Sequence, residues 1–127
     1  YPNPQNFYAL TKLLGEYESR RTRSVVIRCL FKTRPFRHER ACQDQYTTGG
    51  YVDVMAKEIA LACRRFDKLP ETLHIGFEKI STYELARKSN PSVIPCMVTD
   101  IDTVRLPKDT SLDCSLWKGI KNEHKLY

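Results

Sequence analysis

Tyr8 and Lys12 are the residues of this sequence whose types and spacing point most directly to chemistry. Residues four positions apart on a helix lie on the same face, one turn from each other. A phenol loses its proton only near about pH 10, and a neighbouring ammonium favours the phenolate by Coulomb attraction. Such a pair suits carbonyl reduction, with the phenol giving its proton to the oxygen as hydride arrives. Taken alone, the spacing is more often that of a tyrosine at a core edge beside a solvated lysine.

The basic segment 32–40 is the second candidate for a function. Guanidinium groups match the oxygens of a diphosphate, although a solvated charged loop explains the pattern as well. Its cationic side chains are those of Lys32, Arg34, Arg37, His38 and Arg40. The residues that follow are candidate sugar contacts, with turn formation and capping as an equal alternative: Asp44, Gln45 and Tyr46.

Two long helices must position these groups. Apolar residues at helical spacing predict a helix from Phe7 to about Arg21, and its apolar face comprises Phe7, Leu10, Leu13, Leu14 and Tyr17. The same period predicts a second helix over 52–66, with Asp53 in its first turn.

The other elements are shorter. The apolar run 24–31 predicts a strand covered on both faces, in which Arg28 needs a partner. Segment 32–50 lacks either period and predicts a long loop. A short strand is expected over 72–75, and Ser81 with Glu84 has the spacing of a capping box. Prolines keep 89–109 irregular, and a last helix over 111–120 faces inward through Leu112, Leu116, Trp117 and Ile120.

This order of helices and strands indicates an α/β protein. With 127 residues, one domain is expected. Only two or three strands are visible, and so small a sheet leaves its edges and faces uncovered. We therefore expect the sheet to complete a larger one supplied by other residues.

Composition restricts the partners and the compartment. The net charge of +6 suits an anionic partner such as a nucleotide, a nucleic acid or an acidic protein surface. Five cysteines without a CxxC pair indicate reduced thiols and a cytoplasmic protein. Cys29 and Cys63 fit small core positions. The cysteines are too scattered to predict a metal site, even when His124 is counted as a possible ligand. No apolar run approaches a membrane span, and no signal peptide is visible.

Four motifs in order resemble one family, the extended short-chain dehydrogenases/reductases that act on nucleotide sugars. Residues 3–16, NPQNFYALTKLLGE, resemble the segment around YGxxKxxGE, with Ala9 at the usual glycine, and VVIR at 25–28 resembles the next strand. FKTRPF at 31–36 and DQYTTGGYVDVMA at 44–56 resemble the loop and the YVDxxA helix start. LHIG at 73–76 with STYELA at 81–86, and RLPKDTSLD at 105–113, complete the series. The pattern is most similar to the dTDP-4-dehydrorhamnose reductase-like proteins.

The resemblance implies a fold and a site. Residues 1–31 would be the catalytic helix and following strand of a Rossmann core, and 32–127 mainly the substrate-binding subdomain. Tyr8 would donate the proton to a sugar keto group, and Lys12 would hold the nicotinamide ribose of NAD(P). Cys29, Leu30 and Phe31 would border the nicotinamide. The nucleotide-sugar substrate would meet Lys32, Arg34, Arg37, Gln45 and Tyr46.

The cofactor-binding half of that family has no counterpart here. The five glycines form no GxGxxG turn, and none of the residues before Tyr8 is the Ser or Thr that polarises the carbonyl. The sequence also opens at Tyr1 without an initiator Met. We therefore expect the C-terminal part of an NAD(P)-dependent reductase in dTDP-rhamnose and polysaccharide biosynthesis, inactive as this stretch alone. An N-terminal half or a homo-oligomer would complete it. The alternative is a truncated, non-catalytic binding or scaffold protein with an anionic partner.

Overall fold

The computed structural model describes residues 2–123, so that His124 lies outside the described part. Its α-helices are α1 (Phe7–Ser19), α2 (Val52–Cys63), α3 (Thr82–Arg87) and α4 (Ser115–Asn122). The first two confirm the helical period read from the sequence. α3 begins at the predicted capping box: the Ser81 hydroxyl accepts from the Glu84 N–H at 3.1 Å, and the Glu84 carboxylate accepts from the Ser81 N–H at 2.9 Å.

The strands are short and pair across long stretches of sequence. They are β1 (Val26–Arg28), β2 (Phe31–Lys32), β3 (Arg40–Cys42), β4 (Tyr46–Thr47), β5 (Gly50–Tyr51), β6 (Thr72–His74), β7 (Ile80–Ser81) and β8 (Ile94–Cys96). β1 pairs with β6, β2 with β5 and β3 with β8, all parallel, whereas β4 and β7 are antiparallel. The mixed α/β class is confirmed. The prediction of a long loop over 32–50 was wrong, because this segment contains short strands. Strands of two or three residues are too short to show a period in the sequence.

The main core lies on one face of the β1–β6 pair. Met55 and Ala62 of α2 and Trp117 of α4 are fully buried there against Leu73 and Ile75. Alternate residues of β1 and its flanks pack against this cluster: Val25, Ile27 and Cys29. A second cluster holds α3 to β3 and comprises Phe36, Ala41, Ala86 and Val93.

Two inward-facing predictions were wrong. Cys63, at the end of α2, is exposed, and Leu116 of α4 is 55% exposed. Both belong to helices whose buried side is narrow. In α4 the core is reached by Trp117, with Ile120 half-buried one turn later.

Helix α1 lies on the other face of the sheet and turns its apolar side away from the chain. Its inner side is half-buried and comprises Ala9, Leu13, Glu16 and Ser19. Four large side chains at helical spacing are exposed instead, Phe7, Leu10, Leu14 and Tyr17, and we call these the α1 stripe. The amphipathic pattern was read correctly, but within residues 2–123 nothing buries the α1 stripe.

Strand β1 also has an open edge. The Val26 N–H donates to the Glu71 carbonyl, and the Ile75 N–H donates to the Arg28 carbonyl. Because polar groups of successive residues alternate in direction along a strand, the N–H and C=O of Ile27 point away from β6. In the described part of the chain, β6 is the only strand paired with β1. The open edge of β1 and the α1 stripe are thus two surfaces suited to further packing.

Gly76 lies where the chain leaves β6, in a space that admits no side chain. A Cβ there would stand 2.7 Å from the Thr48 carbonyl oxygen and 3.0 Å from the Cys114 sulfur. The Thr48 carbonyl cannot easily retreat, because it accepts a hydrogen bond from the Phe77 N–H at 2.7 Å. We therefore expect Gly76→Ala to lower the free energy of unfolding by about 1–3 kcal/mol, measured by urea denaturation.

The matched control is Gly15→Ala on α1. A Cβ at Gly15 has nothing within 4 Å, so the substitution should raise stability by about 0.5–1 kcal/mol through helix propensity. Equal effects of the two alanines would show that the close approach at Gly76 is not significant.

Candidate functional site

A cavity of about 1030 Å³ opens beside the N-terminal half of α1. This volume is at the upper end of the usual range for ligand sites, about 300–1,000 Å³. Its walls come from α1, from the chain after β1, from β3 and from the segment 101–110. The polar and charged groups that line it include Tyr8, Lys12, Glu16, Arg28, Lys32, His38, Glu39, Arg40, Gln45, Thr82 and Thr110.

Tyr8 and Lys12 share this cavity wall. They lie one turn apart on α1, with the Lys12 ammonium 5.5 Å from the centre of the Tyr8 ring. Tyr8 is 67% exposed, so its hydroxyl is accessible to a ligand and to water. The structure brings the two groups together as their spacing predicted.

Asn6 fixes the start of the helix that carries this pair. Its side-chain oxygen caps α1 by accepting from the Ala9 N–H at 2.8 Å. Its side-chain amide donates to the Arg105 carbonyl at 3.2 Å. Through these two hydrogen bonds, the Asn6 side chain links the N-terminus of α1 to the segment 101–110, which is distant in the sequence.

Glu16 and Arg28 also line this cavity. The Arg28 guanidinium donates twice to the Glu16 carboxylate, at 2.8 and 2.7 Å, and this is the partner that Arg28 was predicted to need. The hydrogen bonds from Arg28 lower the pKa of Glu16, and those to Glu16 raise the pKa of Arg28. The pair joins α1 to β1 and holds this helix against the sheet.

Of the three residues expected beside a nicotinamide, one lines the cavity and two lie elsewhere. Leu30 lines the cavity. Cys29 packs instead against the main core, and burial raises the pKa of its thiol. Phe31 pairs with Gly50 in the β2–β5 ladder and is 52% exposed.

Some cationic side chains of the basic segment line the cavity, and others lie outside it. Lys32, His38 and Arg40 line the cavity. The Arg34 guanidinium bonds Asp53 at 3.0 Å and stacks 4.1 Å from the centre of the Tyr51 ring, outside the residues that line the cavity. The hydrogen bond from Arg34 lowers the pKa of Asp53. Arg37 is exposed and lies outside the lining as well.

Gln45 lines the cavity, but its amide is already bonded within the protein. It donates to the Pro107 carbonyl at 3.0 Å and accepts from the Thr82 hydroxyl at 3.0 Å. Tyr46 is exposed and pairs through its backbone with Lys108 and Thr110. Both residues tie the segment 101–110 to the body of the site.

The segment 101–110 is the part of the site that sequence reasoning missed. It was expected only to be irregular, yet it supplies the wall residues Ile101, Thr103, Leu106, Pro107 and Thr110. The RLPKDTSLD motif was visible in the sequence, but nothing local indicated that it folds back over α1. The Asn6–Arg105 contact joins positions 99 residues apart.

The residues present fit only one end of a dinucleotide. Tyr8, Lys12 and Leu30 lie together at the cavity, but a glycine-rich phosphate turn is absent from the sequence. Among residues 2–123, no group of three or more His, Cys, Asp or Glu side chains is placed to hold a metal ion. In the same part of the chain, no helix combines the length and apolarity needed to cross a membrane.

Comparison with solved structures shows that the chain shares the fold of a known protein. The chain superimposes with a TM-score of 0.75 on the crystal structure of a hypothetical dTDP-4-dehydrorhamnose reductase from Sulfolobus tokodaii, with 24% sequence identity. The match covers 94% of this chain and 50% of that one, so this chain spans half the length of that protein. The resemblance read from the motifs is thus confirmed in the fold. No protein-family model and no curated protein matches the chain.

Proposed function

We propose that this chain is the substrate-side, C-terminal part of an NAD(P)-dependent reductase that acts on the keto group of a nucleotide-linked deoxysugar. The observation that carries the proposal is the shared cavity of Tyr8, Lys12, Lys32 and Arg40 in a chain with the fold of a dTDP-4-dehydrorhamnose reductase. The cavity combines a proton donor for the ketone with cations for the diphosphate of the substrate.

Tyr8 is the proposed general acid. In the reduction of a ketone, the carbonyl carbon accepts hydride and the carbonyl oxygen must accept a proton. The Tyr8 hydroxyl donates this proton and recovers one from water, to which it is exposed. The Lys12 ammonium stabilises the negative charge that the phenol acquires in the step.

NAD(P)H would supply the hydride when bound, and would leave as NAD(P)⁺. Lys12 would hold its nicotinamide ribose, and Leu30 would border the ring. The phosphates would need a glycine-rich turn that these residues do not contain. Cofactor binding therefore belongs to the complete enzyme, and this stretch alone should bind NAD(P) weakly or not at all.

The diphosphate of the substrate would meet the cationic side of the cavity. Lys32 and Arg40 line it, whereas Arg34 is held by Asp53 and Tyr51. Gln45 and Tyr46 would support the sugar site by fixing the segment 101–110. Of the five predicted substrate contacts, Lys32 has the most direct access to a ligand.

Two surfaces support completion by an N-terminal half. The open edge of β1 presents the backbone groups of Ile27 to a further parallel strand. The α1 stripe offers apolar area beside it. In this proposal, residues 1–31 extend a Rossmann core contributed mostly by the other half, and 32–127 form the substrate-binding subdomain.

The test uses the native protein, purified with an antibody raised against this chain. We expect an intact mass larger than that of these 127 residues and consumption of NAD(P)H when dTDP-4-dehydrorhamnose is added. A native mass equal to that of the chain, with no bound partner and no NAD(P)H consumption, would contradict the proposal.

A second experiment examines the anion site in this chain alone. Arg40→Ala should weaken binding of dTDP by about 10–100-fold, because a charge-assisted hydrogen bond contributes about 1.5–3 kcal/mol. The measurement is calorimetric titration at low ionic strength. Arg37→Ala is the matched control, since Arg37 is an exposed arginine of the same segment outside the cavity lining. Equal losses for both variants would indicate nonspecific attraction.

The alternative of a non-catalytic binding protein with an anionic partner is not favoured. It requires a dense positive surface, yet several arginines of the basic runs are paired with acids. Arg21 bonds Glu18, and Arg23 bonds Asp67. Arg34 is paired with Asp53, as described above.

A further inference from the structure

Two of the five cysteines form a close pair. The sulfurs of Cys42 and Cys96 are 3.5 Å apart, and both residues are buried. They lie directly opposite each other in the parallel β3–β8 ladder. Within residues 2–123, theirs is the only contact between two thiols at hydrogen-bonding distance.

The backbone spacing permits a covalent link. Neighbouring strands lie about 4.8 Å apart, which is within the Cα separation of about 4.4–6.8 Å found across disulfides. The two sulfurs need to approach by roughly 1.5 Å to reach the S–S bond length of about 2.04 Å. Rotation of the two side chains with a small strand shift achieves this.

Cys42 is only 3% exposed, but it borders the cavity. It lines the 1030 Å³ cavity, whereas Cys96 lies behind it in β8. Burial, with contributions from Cys96 and from nearby Asp44 and Asp100, raises the pKa of the Cys42 thiol to about 12. Because the thiolate is the nucleophile, the Cys42 thiol reacts slowly at neutral pH, and oxidation of the pair needs a sustained excess of oxidant.

We propose that Cys42 and Cys96 form a reversible disulfide when a hydroperoxide enters the cavity. The Cys42 sulfur attacks the peroxide O–O bond and becomes a sulfenic acid, while the peroxide is reduced and leaves as water or an alcohol. The Cys96 sulfur then displaces the hydroxyl group of the sulfenic acid, forming the S–S bond and releasing water. Both thiol protons leave in the products, and a dithiol reductant reverses the change.

The disulfide would fix one wall of the cavity. Cys42 lies between Ala41 and the turn to Gln45, all on the side that holds the segment 101–110. Directly after Cys96, the Val98 N–H donates to the Asp44 carboxylate at 2.7 Å. Oxidation would therefore lock β3, β8 and the segments joined by the Asp44–Val98 hydrogen bond into one unit. The inference rests on this geometry and is independent of the proposed reductase activity.

The test treats the native-folded chain with hydrogen peroxide, followed by blocking of free thiols and peptide mapping by mass spectrometry. We expect a linked peptide pair containing Cys42 and Cys96, a rise in the midpoint of thermal unfolding, and loss of both on adding dithiothreitol. Cys42→Ala and Cys96→Ala should each abolish the link and the shift, with circular dichroism to confirm folding.

Cys63→Ser is the matched control. Cys63 is exposed and should be oxidised readily, yet its replacement should leave the Cys42–Cys96 link intact. Oxidation that ends at sulfinic acid on Cys42, or links that join Cys63 instead, would overturn the proposal. Retention of two free thiols at Cys42 and Cys96 after prolonged treatment with excess hydrogen peroxide would overturn it as well.

Discussion

If the proposed function holds, replacement of Tyr8 by Phe in the complete native protein is expected to lower kcat by roughly 10²–10⁴-fold, the usual contribution of a positioned general acid. Phenylalanine keeps the ring on α1 and removes only the hydroxyl that gives the proton. Because Tyr8 is 67% exposed, the fold should not respond, and KM should change little. Steady-state consumption of NAD(P)H with dTDP-4-dehydrorhamnose measures the effect.

Tyr17→Phe is the matched control for this experiment. Tyr17 lies on the same helix and is 59% exposed, but it belongs to the α1 stripe and not to the cavity lining. Its activity should equal that of the wild type. If Tyr8→Phe retains full activity while the wild type is a working reductase, the proton comes from another group and the role of Tyr8 is wrong.

Trp117→Ala is expected to lower the free energy of unfolding by about 3–5 kcal/mol, the cost typical of removing a buried Trp side chain. Trp117 is fully buried in the main core, between α2 and β6. Its indole N–H also donates to the Glu58 carboxylate at 2.6 Å. Burial opposes the ionisation of Glu58, but hydrogen bonds from Lys121 and Trp117 outweigh it and lower the pKa of Glu58.

Denaturation by guanidinium chloride measures this loss. The neighbouring Leu116→Ala is the control, because Leu116 is 55% exposed and its removal should change stability by about 0.5 kcal/mol or less. Similar losses for the two variants would show that the C-terminal helix does not complete the core as described.

Features carried by local sequence were predictable. The helical periods of α1 and α2 extend over three turns, and the capping box at Ser81 and Glu84 needs only four residues. The need of Arg28 for a partner was clear, because a charge within an apolar strand must be compensated. Its actual partner, Glu16, lies twelve positions earlier on the helix.

Features that depend on distant contacts were not predictable. The β3–β8 pairing joins segments 54 positions apart through strands of three residues, which carry no periodic signal. Arg34 was expected to bind phosphate, and nothing local indicated that Asp53 and Tyr51 would engage it. The direction of the α1 stripe depends on which partners surround the helix, and a hydrophobic pattern does not specify them.

The parallel strand pairs also determine the order in which this chain can fold during synthesis. β1 cannot pair until β6 has left the ribosome, and β3 must wait for β8. Closing such long loops costs entropy before any contact is gained, and folding rates fall as contacts become less local. Helix α1 is made before β6 and β8, so the α1 stripe is already present before these strand pairs can form.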